Sequence, residues 1–174
     1  MKVREAALGD APMISHLARS LSEKYVTPEF PAEARDAFLK SMTADGIRQL
    51  IGTGLRYHLA EVDGNVVGVI GIKNNAHLYH LFVDEIFQKK GIARHLWNTA
   101  MKTCKAAGHP GAFTVNSSRY AQQVYESFGF VAQSPPQERN GIVTIPMKLT
   151  VGSEPTAGAD HSKTDHYSAG WKPP

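Results

Sequence analysis

The sequence predicts a mixed α/β (α+β) fold, a central sheet of about seven strands flanked by about four helices. Three observations carry this. Segments of period two alternate with segments of period 3.6 along residues 1–150. Asp63-Gly64-Asn65 separates two β-rich runs, and Asp-Gly tolerates the positive φ of a tight hairpin turn. A strand at 77–83 reaches a strand at 112–116 through a helix, the outline of a βαβ unit.

In chain order, VREAAL (3–8) reads as a strand ended by Gly9-Asp10. Asp10 is placed to cap a helix whose Ile14, Leu17, Ala18 and Leu21 form one apolar stripe. Residues 31–52 read as two helical pieces, with Ala34, Phe38 and Leu39, then Ile47, Leu50 and Ile51, against which Gly46 and Gly52-Thr53-Gly54 speak. RYHLAEV (56–62) and VVGVIGIK (66–73) form the hairpin, and HLYHLFV (77–83) follows Asn74-Asn75. After Gly91 the apolar positions Ile92, Leu96, Trp97, Ala100, Met101 and Cys104 share a helical face that ends before Gly108 and Pro110. AFTVN (112–116) is a strand, 119–128 a helix stopped by Gly129, and 130–133 and 142–150 closing strands. Between these last two lie turn signals at Pro135-Pro136 and Asn140-Gly141.

Composition bounds the function. The chain has 174 residues, a net charge of +3, 42% hydrophobic and 20% charged residues, which fits one globular domain at 1–150. Residues 151–174 lack an apolar period and are rich in Gly, Pro, Ser and Thr, the composition of a flexible tail. The tail has three acidic and two basic residues, so the body carries the excess positive charge. A single cysteine, Cys104, excludes a disulfide framework, and its place on an apolar helical face reads as core. The eight histidines are too scattered for a metal site. No apolar run reaches the ~20 residues of a membrane span, and the polar start is no signal peptide, so a cytoplasmic protein is expected.

The informative stretch is LFVDEIFQKKGIARHLW, residues 81–97. A strand ends at Val83, and Gln88-Lys89-Lys90-Gly91-Ile92-Ala93 runs into a helix. Gly91 and the small Ala93 let backbone approach a ligand, and the first helical N–H groups lack intrahelical partners. Such a helix start suits phosphate, and Lys89, Lys90 and Arg94 add charge there; an ordinary helix entry with a solvated basic turn has the same spacing. No GxxxxGK[ST] loop and no GxGxxG fingerprint is present.

Val83-x4-Gln88-x-x-Gly91-Ile92-Ala93 resembles the acetyl-coenzyme A signature of the GNAT superfamily of N-acetyltransferases. A second block, Asn116 through Ala121 to Tyr125-Glu126-Ser127-Phe128-Gly129-Phe130, resembles that family's Asn…Ala…Tyr-x-x-x-Gly-Phe segment. The resemblance covers roughly residues 1–150 and implies acetyl-CoA as co-substrate without a metal. It implies that Gln88, Lys89, Lys90, Gly91, Ile92, Ala93 and Arg94 hold the pyrophosphate. It also implies that the backbone of Leu81, Phe82 and Val83 pairs with the pantetheine arm and thioester at a splayed strand edge. Asn116 and Ser118 become candidate coenzyme contacts, with helix capping an equal reading of Ser118.

The implied chemistry needs an amine rather than an ammonium. At a pKa of ~10.4, about one alkylammonium in 2,500 is neutral at pH 7. Tyr125 matches the family position of an acid that serves the departing thiolate, although its helical face also reads as core. For the base, His77 matches best, His80 is second, Glu85 third, and a water chain remains open. Strict alternation groups His77, Tyr79, Leu81 and Val83 on one strand face and Leu78, His80 and Phe82 on the other.

The expected activity is transfer of the acetyl group to a primary amine by direct attack in a ternary complex. The alternative is a non-catalytic acyl-CoA-binding regulatory module on the same fold. Nucleic acid is not an expected partner, since no basic stripe is interleaved with aromatics; a homodimer is compatible with the sequence. Acceptor choice falls to 22–54 and 132–144, which carry no motif. Glu23, Glu29 and Glu33 around Tyr25 offer negative charge to a cationic amine, and a solvated face accounts for them as well.

Overall fold

The computed structural model describes residues 1–151, and the expected tail lies outside the described residues from 152 onward. In order, the elements are β1 (Lys2–Glu5), α1 (Ala11–Tyr25), α2 (Ala32–Ser41), α3 (Ala44–Gly52), β2 (Leu55–Val62), β3 (Asn65–Lys73) and β4 (His77–Val83). Then come α4 (Ile92–Ala106), β5 (Ala112–Ser117), α5 (Gln122–Ser127), β6 (Val131–Ala132), β7 (Gln137–Arg139) and β8 (Ile142–Thr150). The strands form one sheet ordered β1-β2-β3-β4-β5-β8-β6, with β7 paired to β8. Only β4 and β5 run parallel, as the βαβ outline requires.

Two apolar layers hold the sheet. Ile92, Leu96, Trp97 and Ala100 of α4 pack with Phe113, Phe130 and Met147 on one face. Ile14, Leu17 and Leu21 of α1 and Ile47 of α3 pack with Leu55, Tyr57, Leu59 and Val69 on the other. The helical stripes read from the sequence are these buried faces, and burial of apolar area at roughly 25 cal/mol per Å² is what fixes the helices to the sheet. Cys104 is buried in the α4 layer, so its placement in the core holds.

Three differences have local causes. The expected strand 3–8 stops at Glu5, and a 3-10 turn takes Leu8–Asp10. Asp10 does not cap α1. Its carboxylate turns back to accept from the Ala7 N–H at 2.7 Å and from the Arg4 guanidinium at 2.7 and 2.8 Å. Arg4 also reaches Glu61 of β2, so a charged cluster ties β1 to the start of α1 and holds the Asp10 carboxyl below its ordinary range. The last helix begins at Gln122 rather than 119, because Ser118 Oγ accepts from the Ala121 N–H in the turn before it. A short strand β7 lies inside the expected turn region, and Asn140-Gly141 makes its hairpin with β8.

The break between α2 and α3 falls at Met42-Thr43, where Thr43 Oγ1 accepts from the Gly46 N–H as a cap.

Candidate active site

β4 and β5 pair only at His77↔Thr114 and Leu78↔Val115. Beyond that point the strands separate, and Leu81, Phe82 and Val83 keep partners on β3 alone. An edge of backbone is left facing the gap, which a ligand can satisfy by adding as a strand. The gap opens into a cavity of about 1380 Å³, above the ~300–1,000 Å³ of typical ligand pockets.

At one end of the cavity the chain turns into α4. Lys89 has φ 59° and Gly91 φ 81°, both left-handed, and Gly91 is the residue before the first helical turn. The leading N–H groups of α4 lack intrahelical acceptors, so they and the helix dipole can receive an anion. Gln88 braces the loop, its Nε2 donating to the Val83 carbonyl at 3.0 Å. Arg94 donates to the Ser127 carbonyl at 2.7 Å and covers the Phe128 ring, tying α4 to the end of α5.

The cavity is lined by His77, Leu81, Phe82, Val83, Gln88, Lys89, Gly91, Ile92, Ala93, Arg94, Asn116, Ser118 and Tyr125, which the sequence singled out. Lys90 is outside that lining, with its Nζ over the Phe87 ring. Ser118 lines the cavity, and its Oγ also accepts from the Ala121 N–H in the turn before α5.

Tyr125 lies under α5 with its ring against Phe128 and Phe130, and burial raises its pKa well above the ordinary phenol value. Its hydroxyl has no hydrogen-bond partner among the described residues. His77 Nδ1 is 2.8 Å from Thr114 Oγ1, and burial together with Lys73 lowers its pKa to about 4. His80 is buried in the cavity wall, joined through Nδ1 to the Tyr57 hydroxyl at 2.7 Å, and burial lowers its pKa to about 3. Both imidazoles are neutral at pH 7. Glu85 is removed from the site: Lys24 Nζ and the Tyr25 hydroxyl hold its carboxylate outside the cavity.

The strict alternation read for β4 does not hold. Gly71 and Ile72 of β3 face three residues of β4, Leu78, Tyr79 and His80. This bulge turns Tyr79 and Phe82 to the α1 layer and Leu81 and Val83 to the α4 layer. Gly71 sits between Tyr57 and His80 in the register, and a Cβ there would meet the Tyr57 ring at 2.6 Å. The missing side chain is what lets Tyr57 reach across β3 to His80. An isolated glycine inside a strand was the available signal for that approach.

The model of the family described as acetyltransferase (GNAT) domain matches residues 26–151. The chain belongs to the GNAT acetyltransferase family. Search of the curated proteins finds no match. Among solved structures, a GCN5-related N-acetyltransferase from Rhodopseudomonas palustris superposes with a TM-score of 0.73 at 19% identity, covering 86% of this chain and 95% of that one. PaiA N-acetyltransferase from Thermoplasma acidophilum, in complex with coenzyme A, gives 0.68 at 16% identity over 86% and 99%. A phosphinothricin acetyltransferase from Sinorhizobium meliloti, in complex with acetyl-CoA, gives 0.62 at 19% identity over 90% and 94%. The expected fold is therefore the GNAT fold, with eight strands and five α-helices among the described residues where about seven and four were expected. No helix among the described residues is long and apolar enough to cross a membrane.

Proposed function

We propose that this GNAT protein is an N-acetyltransferase that moves the acetyl group of acetyl-CoA to a primary amine by direct attack. One observation carries the reading: Tyr125, the Leu81–Val83 edge that β5 leaves unpaired and the start of α4 line a single cavity. The pyrophosphate lies on the amides from Lys89 to Arg94, and the pantetheine arm adds to β4 in the gap that β5 leaves. The chain's GNAT membership and the solved relatives that hold coenzyme A or acetyl-CoA support this co-substrate.

In the transfer the amine nitrogen bonds to the thioester carbonyl carbon and the C–S bond breaks. The nitrogen loses a proton, and the sulfur departs as a thiolate that then takes a proton from solvent. Tyr125, kept protonated by burial, donates a hydrogen bond to the departing sulfur, which helps a thiolate leave. His77 is neutral and accepts, but at a pKa of about 4 it is too weak to strip an alkylammonium by itself. Its part is to take the proton as the amine becomes acidic during attack, directly or through water, while burial of the acceptor favours the neutral amine.

The test is thiol release from acetyl-CoA with a broad amine panel, for the full chain and for Tyr125→Phe. The variant is expected to lose about 100-fold or more in kcat with acetyl-CoA affinity retained. Unchanged turnover removes Tyr125 from the mechanism. Acetyl-CoA binding without turnover on every amine would instead establish the regulatory-module alternative.

A further inference from the structure

The acceptor end of the cavity has a composition that selects among amines, and this inference rests on the acetyltransferase reading above. α1, α2 and the β7–β8 hairpin bound that end. The hairpin turn is pressed onto the segment before α2, since a Cβ at Gly141 would meet the Pro31 ring at 2.5 Å. The walls are aromatic. Tyr25 stacks on Tyr120 with centroids 4.9 Å apart, Phe30 meets Phe38 edge-on at 5.5 Å, and Tyr79 lines the same space.

Among the described residues no Asp or Glu lines the cavity. The carboxylates that the sequence offered to a cationic amine lie elsewhere: Glu23 pairs with Arg19, and Glu29 and Glu33 are exposed on the outer surface. The lining cations are Lys89 and Arg94 beside the α4 start, and Arg139 on β7. The exposed Arg139 side chain has neither a hydrogen bond nor an ion pair among the described residues, while its backbone pairs with Ile142 of β8.

We propose that the acceptor is a compact monoamine on an aromatic or branched apolar body that also bears a carboxylate, an amino-acid-like molecule whose carboxylate pairs with Arg139. A polycation fits badly, because each ammonium taken from water into this space needs a carboxylate and meets none. Aromatic faces attract one cation too weakly to replace several lost hydration shells. A carboxylate, in contrast, accepts two parallel N–H bonds from the fork of a guanidinium.

The experiment compares kcat/KM for L-phenylalanine, 2-phenylethylamine, spermidine and a lysine-containing peptide in the full chain and in Arg139→Gln. Phenylalanine should exceed phenylethylamine by about tenfold or more, with spermidine lowest. Arg139→Gln should shrink the first ratio to within about twofold, while acetyl-CoA affinity reports that the variant is folded. Spermidine or the lysine peptide leading, or a ratio indifferent to Arg139→Gln, overturns the acceptor class and leaves acetyl transfer standing. Acetyl-CoA binding with no amine acetylated overturns the reading beneath it as well.

Discussion

The two ends of the cavity are built from different material. Where α4 begins, the surface offered to a ligand is backbone: the positive φ at Lys89 and Gly91, the leading amides of the helix, and the β4 edge that β5 leaves open. Under α1, α2 and the β7–β8 hairpin the surface is side chain: Tyr25, Phe30, Phe38, Tyr79 and one arginine. A site made of backbone demands particular residues at particular spacings, since few side chains tolerate those dihedrals. A site made of rings needs only that rings arrive there, from wherever in the chain they come. The first end suits a ligand common to the family, and the second suits one that differs between members.

The comparison breaks most sharply at Gly91. Gly91→Val places a β-branched residue at φ 81°, a left-handed conformation that costs an L-residue about 1–2 kcal/mol or more. The turn is expected to relax and misdirect the α4 amides, raising the acetyl-CoA dissociation constant by about ten- to thirtyfold. Calorimetry on the purified variant measures this. Retained affinity would mean that the amide cradle is not where the pyrophosphate binds. The acceptor KM, read at saturating acetyl-CoA, should stay near the wild-type value.

Gly141→Val is the matching perturbation at the other end, with a smaller expected effect. Here φ is 76°, and a Cβ would also strike Pro31. The hairpin should lift from α2, raising the acceptor KM by about three- to tenfold through the same left-handed cost of about 1–2 kcal/mol, shared with a mobile hairpin. Acetyl-CoA affinity should not move. If both constants rise together in either variant, the two ends are coupled and the division fails.

This division also explains what could be read from the sequence. The mixed α/β layer, the hairpin at Asp63-Gly64, the βαβ unit and the Gln88–Arg94 turn were legible because period and turn chemistry are local, whereas the GNAT assignment came from the resemblance of two motif blocks. Gly91 announces its φ, and Tyr125 stands at a fixed distance from Gly129-Phe130. Arg139 was invisible: it lies beside a turn signal, and only the pairing of β7 with β8 brings it to the cavity. Tyr79 was placed on the wrong face because one extra residue in β4 reverses the alternation, and periodicity has no sign for a bulge. Glu85 looked available just past the strand until α1 brought Lys24 and Tyr25 against it, a contact sixty residues away in the chain.

The smallest expected effect concerns pH and bears on His77 and His80, which sit between the two ends. Burial holds them at about 4 and about 3, below the 6.5 of an exposed imidazole. The unfolded chain therefore binds protons at these histidines at a higher pH than the native state does. Stability from this source is complete above pH 6.5 and declines as pH falls toward 4, by at most about 1.4 kcal/mol per pH unit for each histidine. Thermal unfolding between pH 7 and 4 should show that decline, and His77→Gln should reduce its slope. The rate carries the complementary signature. Because both rings are already neutral above pH 5, kcat/KM should show no limb near 6.5, and its rise with pH should follow the pKa of the acceptor amine used. A limb near 6.5 that disappears in His77→Gln would place a charged, solvated His77 at the junction. The proton would then be taken by an ordinary base rather than by a desolvated site.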